Sequence, residues 1–221
     1  MNSVATRIGH HYKYIIFLLT ITLNVLTVNA QQYGVAVVNA DSQLKAISDA
    51  CAKTSTIVSK VIVSNQTKMM AGALTSEGNF YMQREGGKIA IETKFPAPSR
   101  IVITDKLFLI DVAGQRTTTA PQSNPAVTQM RSIISSCMSG DFDGLTSHSE
   151  AKYFDDNTFF TIVLKPTNKR VQRYMKELVL RFNKSDNTLE IMQMTERNGD
   201  STSYTFTEKQ LNAPIDEAVF K

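Results

Sequence analysis

The residues able to do covalent or metal chemistry are few in this chain, and their spacing brings no site together. Of three histidines, His10 and His11 fall in the N-terminal leader segment described below. The third, His148, lies inside the polar string "TSHSE", which reads as solvent-facing loop. The two cysteines, Cys51 and Cys137, each sit on an apolar stripe. That placement suits buried thiols acting as small hydrophobes, or a disulfide between them if the chain is exported. One histidine and two separated thiols do not make a metal set. No phosphate-cradling glycine loop is present, and the acids alternate with lysines as on a solvated surface. The sequence therefore points to no enzyme, no cofactor and no metal. One residue remains unexplained. In "GNFYMQREGGKIAIE" Phe80 and Met82 share a strand face, and Arg84 is next in line on it. A guanidinium there either reaches out to solvent from a strand end or serves something that the apolar face holds.

The elements that must position these residues can be read from periodicity. Ser42 to about Ser64 has apolar residues at 44, 47, 51, 54, 58 and 61, which predicts an amphipathic helix capped by Asp41 or Ser42. Alternation predicts strands over Met70–Arg84 and Lys88–Phe95, then a hairpin in "RIVITDKLFLIDV" turning near Thr104–Lys106. "GQRTTTAPQSN" reads as a loop. Helical spacing returns from Pro125 to about Ser139, with Asn124 as a candidate cap. From Ala151 onward the pattern is strand only, with hairpins turning at Lys184–Asn187 and at Asn198-Gly199, the latter a type I′ signal. There is no βα alternation, which argues against a parallel sheet. The expected fold is one curved antiparallel sheet of about eight strands, an incomplete β-barrel, with an N-terminal helix and a mid-chain helical lid over its concave face.

Residues 1–30 read as a leader and not as fold. Arg7 and Lys13 give a basic start, Tyr14 to Val28 is apolar, and "VNA" ends in a small-residue cleavage site. Cleavage after Ala30 leaves residues 31–221 as a single domain exported to the periplasm. Its charge is then 22 basic against 20 acidic residues, too balanced for a nucleic-acid binder.

The order "GNFYMQR", "KIAIE", "IVITD" and, late in the chain, "GDSTSYTF" followed by "FK" resembles the bacterial outer-membrane lipoprotein carrier family, LolA, across about Ser42 to Phe220. The resemblance implies a periplasmic carrier that shields the acyl chains of lipoproteins in an apolar cavity and ferries them from the inner to the outer membrane. It implies acylated lipoproteins, an inner-membrane lipoprotein-releasing transporter and an outer-membrane acceptor as partners, and a monomer. Arg84 matches the family's lid latch, which bonds lid backbone and holds the empty cavity shut. Ile89 and Ile91 match inward-facing positions, and Phe80, Met82, Ile101, Ile103 and Phe108 complete the implied cavity wall. Met130, Ile133, Ile134 and Met138 form the implied lid face. The chain departs from the family in having Glu85-Gly86-Gly87 after the arginine, where proline is common, and in having no tryptophan. A second reading is therefore a LolA-like binder of another apolar ligand, a glycolipid or a polyene intermediate.

Overall fold

The computed structural model describes residues 32–69, 71–123, 125–169 and 171–221. The leader with its cleavage site, Met70 and the candidate cap Asn124 fall outside them, as do the side chains of Met130 and Met138.

Twelve antiparallel strands form one sheet in the order β1-β8-β9-β10-β11-β12-β2-β3-β4-β5-β6-β7. They run in chain order as β1 (Val35–Val37), β2 (Thr56–Gln66), β3 (Leu74–Gln83), β4 (Lys88–Thr93), β5 (Ser99–Ile103), β6 (Phe108–Val112), β7 (Gln115–Thr119), β8 (Ser149–Asp155), β9 (Phe159–Pro166), β10 (Met175–Asn183), β11 (Thr188–Glu196) and β12 (Ser201–Leu211). The sheet does not close, since β1 and β7 are left at its two edges. Among the described residues, the helices α1 (Asp41–Ala52), α2 (Pro125–Ser139) and α3 (Phe142–Thr146) accompany it.

Strand alternation sorts the sheet's side chains onto two faces. One face carries Ile57, Val61, Phe80, Met82, Ile89, Ile91, Ile103, Phe160, Ile162, Leu164, Leu178, Leu180, Phe182, Met192 and Phe206. All are buried in one cluster with Ile47 and Cys51 of α1, Ile133, Ile134 and Cys137 of α2, and Phe142 of α3. The helices therefore cover this face, as the sequence leads one to expect. The opposite face is covered in two smaller places. Ala90, Val102 and Leu109 pack under the C-terminal segment through Ile215, Val219 and Phe220. Phe154, Val163 and Val179 pack under Tyr33.

Four sequence readings need correction. The first helix ends at Ala52, and residues 56–66 form β2. Thr54 and Val58 sit at helical spacing, but "STIVSKVIVS" is rich in β-branched residues, and period-2 burial of Ile57, Ser59 and Val61 outweighs the weaker helical match. That helix also starts on Asp41, with Ala40 in the capping position and no side-chain cap. The polar stretch after Gly114 contains β7, a fully exposed edge strand whose threonines suit a pleated surface without burying anything. The described residues therefore form twelve strands, where the sequence reading has about eight. The turn at Asn198-Gly199 is present, but only Gly199 is left-handed, at φ 90°. Gly199 N–H bonds Glu196 O at 3.0 Å and Glu196 N–H bonds Asp200 O at 2.8 Å, which is a type I turn followed by a glycine bulge.

Candidate functional site

Arg84 follows β3 directly and leaves the strand geometry, with φ −62° and ψ −43°. Its backbone N–H bonds Ser55 O at 2.9 Å, which anchors it beside the α1–β2 connection. From there its Nη2 donates to the carbonyl oxygen of Cys51. Cys51 lies in the last turn of α1, where carbonyls have no partner within the helix. The same oxygen accepts Thr54 N–H at 3.0 Å. A cation at a helix C-terminus is favoured by the helix dipole as well as by the hydrogen bond. Arg84 thus does bond the backbone of a covering helix, but that helix is α1; the sequence reading placed the lid in mid-chain.

A second bond carries the link onward to α2. Cys51 Sγ donates to the carbonyl oxygen of Cys137 at 3.1 Å. Cys137 is in the last turn of α2, so this too fills an orphan acceptor. Both cysteines are free thiols here and both are buried. Burial pushes the Cys51 thiol up to about 11, against a smaller opposing effect from the Arg84 charge. Burial raises the Cys137 thiol also, and the neighbouring Cys51 adds to it. Each is therefore a neutral donor or hydrophobe at physiological pH, not a nucleophile.

The third bond joins α2 to the β3–β4 turn: Arg131 Nη2 donates to Gly86 O at 3.3 Å. Gly86 and Gly87 are both left-handed, at φ 74° and 54°, and a Cβ on Gly87 would lie 3.3 Å from Arg131 Nη2. The glycine pair that departs from the family pattern thus gives a tight turn that seats the arginine of the covering helix. Gly140, at φ 72°, lets α2 end against α1: a Cβ there would come within 2.6 Å of Ser48 Cα.

The cavity positions fall together. Phe80, Met82, Ile89, Ile91 and Ile103 are buried and Ile101 and Phe108 half-buried, all in the cluster that includes Ile133 and Ile134 of α2. The register confirms the shared face, with Met82 opposite Ile89, Phe80 opposite Ile91, Ile89 opposite Ile103 and Ile103 opposite Phe108. The protein's own side chains cover this face, and the Phe80 ring meets that of Phe206 at 4.7 Å. Arg131 and Gly140 were not singled out from sequence, and Gly86 and Gly87 stood out there only as a departure from the family pattern. The available signal was "REGGK", a glycine pair one residue past the arginine. No group of metal-ligating side chains occurs among the described residues. Nor is any described helix long and apolar enough to cross a membrane.

A family model described as outer membrane lipoprotein carrier protein LolA matches residues 53–221. The chain belongs to the LolA family. The match begins just after α1 and spans β2–β12 and the covering helix α2. No curated protein matches by sequence alone. Among solved structures the chain is similar to an uncharacterised conserved protein from Thermus thermophilus, with a TM-score of 0.51 and 9% identity over 82% of this chain and 93% of that one. It is also similar to a chain of the Pseudomonas aeruginosa MucA/MucB complex, at TM-score 0.48 and 11% identity over 82% of this chain; it spans 60% of that longer chain. The Mycobacterium tuberculosis lipoprotein LppX is a third, at TM-score 0.44 and 11% identity over 80% and 99% of the two chains. At such identities the likeness is one of fold.

Proposed function

We propose that this LolA-family protein carries the acyl chains of lipid-modified proteins through the periplasm on its concave face, with α1 and α2 closing that face when it is empty. The observation that carries the reading is how the cover is held. A broad apolar face lies under two helices, joined to the sheet and to each other by hydrogen bonds to helix-end or turn carbonyls, among them those from Arg84, Cys51, Arg131 and Asn212. Such bonds can open without breaking the sheet, whose own ladders are continuous.

The physical need is large. An acyl chain gains about 0.8 kcal/mol per buried CH₂, so one of about 16 carbons exposed to water costs on the order of 13 kcal/mol. A lipoprotein with two or three such chains needs a carrier to cross an aqueous space. It would be received from an inner-membrane releasing transporter and passed to an outer-membrane acceptor, by a monomeric carrier. The role is binding and transfer, without a catalytic step.

The test is extraction of lipid from protein purified without detergent, with mass spectrometry of what is released. Diacylglyceryl-cysteine peptides support the lipoprotein carrier. A free glycolipid or polyene would move the assignment to another apolar cargo. Failure of both extraction and uptake of a fluorescent 16-carbon acyl probe would overturn it.

A further inference from the structure

Asn212 ties the end of the last strand to the end of the first helix. β12 stops at Leu211, opposite Ile57 of β2. The next residue, Asn212, is left-handed at φ 59°, a conformation that asparagine takes more readily than most side chains. Its N–H still bonds Thr56 O at 2.9 Å, so the turn is made without leaving β2. The Asn212 amide then meets the connection 53–55, the three residues between α1 and β2. Oδ1 accepts Ser55 N–H at 2.7 Å and Ser55 Oγ–H at 3.0 Å, and Nδ2 donates to Lys53 O at 3.1 Å. The amide has one workable orientation, because a flip would set its donor against Ser55 N–H and its acceptor against Lys53 O.

These bonds bear on the clasp because Arg84 is attached at the same place. Lys53 caps the end of α1, and its N–H bonds Ala50 O at 3.2 Å. Its carbonyl is a helix-end acceptor, which Asn212 fills. Two residues earlier is Cys51, whose carbonyl takes the Arg84 guanidinium. Ser55 O takes the Arg84 backbone N–H at 2.9 Å. Ser55 is therefore gripped by Asn212 through its N–H and by Arg84 through its carbonyl. So short a connection has little slack. With its first carbonyl and its last N–H fixed to one side chain, the last turn of α1 is held where Arg84 reaches it. Asn212 is itself exposed, so what it contributes is these bonds and not core packing.

We infer that Asn212 is a positioning residue for the clasp: it sets the α1 terminus on which Arg84 closes, and so makes closure of the cover depend on the end of β12. The inference deepens the proposed acyl-carrying role and rests on it for its purpose, but its exchange test needs no cargo. Asn212→Gly keeps the left-handed backbone and removes all three side-chain bonds. Native-state hydrogen exchange in the last turn of α1 should quicken about fivefold, the factor given by one net hydrogen bond. Amides in the last turn of α2, which Asn212 does not touch, should quicken with them, and those of β9 and β10 should not change. Thr56→Val is the control. It removes the Thr56 Oγ–H bond to Ala213 O at 2.6 Å, which fastens the same chain end without touching α1, and should leave the α2 amides at their original rate.

Arg84→Leu separates positioning from plain stabilisation. Alone it should quicken the α2 amides about tenfold. Because Asn212 acts through that arginine, the double variant should stay near that rate, short of the roughly fiftyfold product that independent effects would give. Unchanged α1 and α2 exchange in Asn212→Gly would overturn the inference. So would a uniform rise over all amides, an equal effect of Thr56→Val, or the full product in the double variant. The fluorescent acyl probe keeps the two claims apart. Altered exchange with no probe uptake by any variant removes the carrier function alone; probe uptake with unaltered exchange removes the positioning role alone.

Discussion

Replacing Arg84 by leucine isolates the clasp. The guanidinium donates a charge-assisted hydrogen bond to Cys51 O, an interaction worth about 1.5–3 kcal/mol. The freed carbonyl still accepts Thr54 N–H at 3.0 Å, so it is not left orphaned, and the loss belongs near the lower end of that range. About 1.5 kcal/mol shifts an opening equilibrium by roughly tenfold. Native-state hydrogen exchange reads this directly. Amides of the last turns of α1 and α2 should exchange about tenfold faster in Arg84→Leu, while those of β9 and β10, buried at the far side of the sheet, should be unchanged. Loading of a fluorescent acyl probe should quicken by a similar factor, and handover to an acceptor should slow, because closure no longer helps to expel the cargo. Arg84→Lys keeps the charge and one donor, and should fall between the two. A uniform rise in exchange over all amides would show that Arg84 stabilises the whole fold and latches nothing. Unchanged exchange and loading would refute the clasp outright.

The remaining expectations concern the same junction and the wall beneath it. Cys51 has a folded pKa raised to about 11, above the roughly 8.5 of an unfolded thiol. Its contribution is therefore fully present below about pH 8.5 and is lost as pH rises toward 11. Urea unfolding at pH 8 and pH 10.5 should show a fall in stability that Cys51→Ala reduces. Phe80→Ala removes a ring that is 3% exposed and packed on Phe206; about 3–5 kcal/mol should be lost in urea unfolding. Gly140→Ala should destabilise by at least about 1 kcal/mol and loosen α2 in hydrogen exchange, because its Cβ would meet Ser48 Cα at 2.6 Å and its φ is 72°.

The fold was legible where apolar and polar residues alternate along a strand. Lys88–Thr93 announces itself by that alternation, Met175–Glu196 by two apolar stretches parted at Lys184–Asn187, and α2 by its spacing after Pro125. It was illegible where two periods overlap. Val58 and Val61 satisfy both a helix continuing from Cys51 and a strand with Ile57 and Ser59 inward, and only the pairing of β2 between β12 and β3 decides. An edge strand such as β7 buries nothing, and so leaves no hydrophobic pattern to find. For the site, the residue was readable but not its acceptor. Arg84 stands out because it breaks an apolar row, whereas its partner is a backbone carbonyl, which no side chain marks. The Cys51–Cys137 bond was hidden for the same reason: the thiol meets a main-chain oxygen, not the other thiol.

That the wall is covered when empty sets what loading must overcome, and the magnitudes favour loading. Exposing Ile133 and Ile134, each 4% exposed here, costs about 3–6 kcal/mol if both become fully wet, and each wall side chain wetted beneath them adds about 1.5–3 kcal/mol. Breaking the Arg84 clasp adds about 1.5–3 kcal/mol. One 16-carbon acyl chain returns on the order of 13 kcal/mol on burial, and it would in part re-cover those same isoleucines. Under the proposed acyl-carrying role, one chain would hold an open form where it re-covers the wall that it uncovers. A cover packed like an ordinary core, but tied down by a few bonds to carbonyls, has the two properties such a carrier needs. It hides its apolar face from water when empty, and it yields to a ligand whose own burial exceeds the cost of opening.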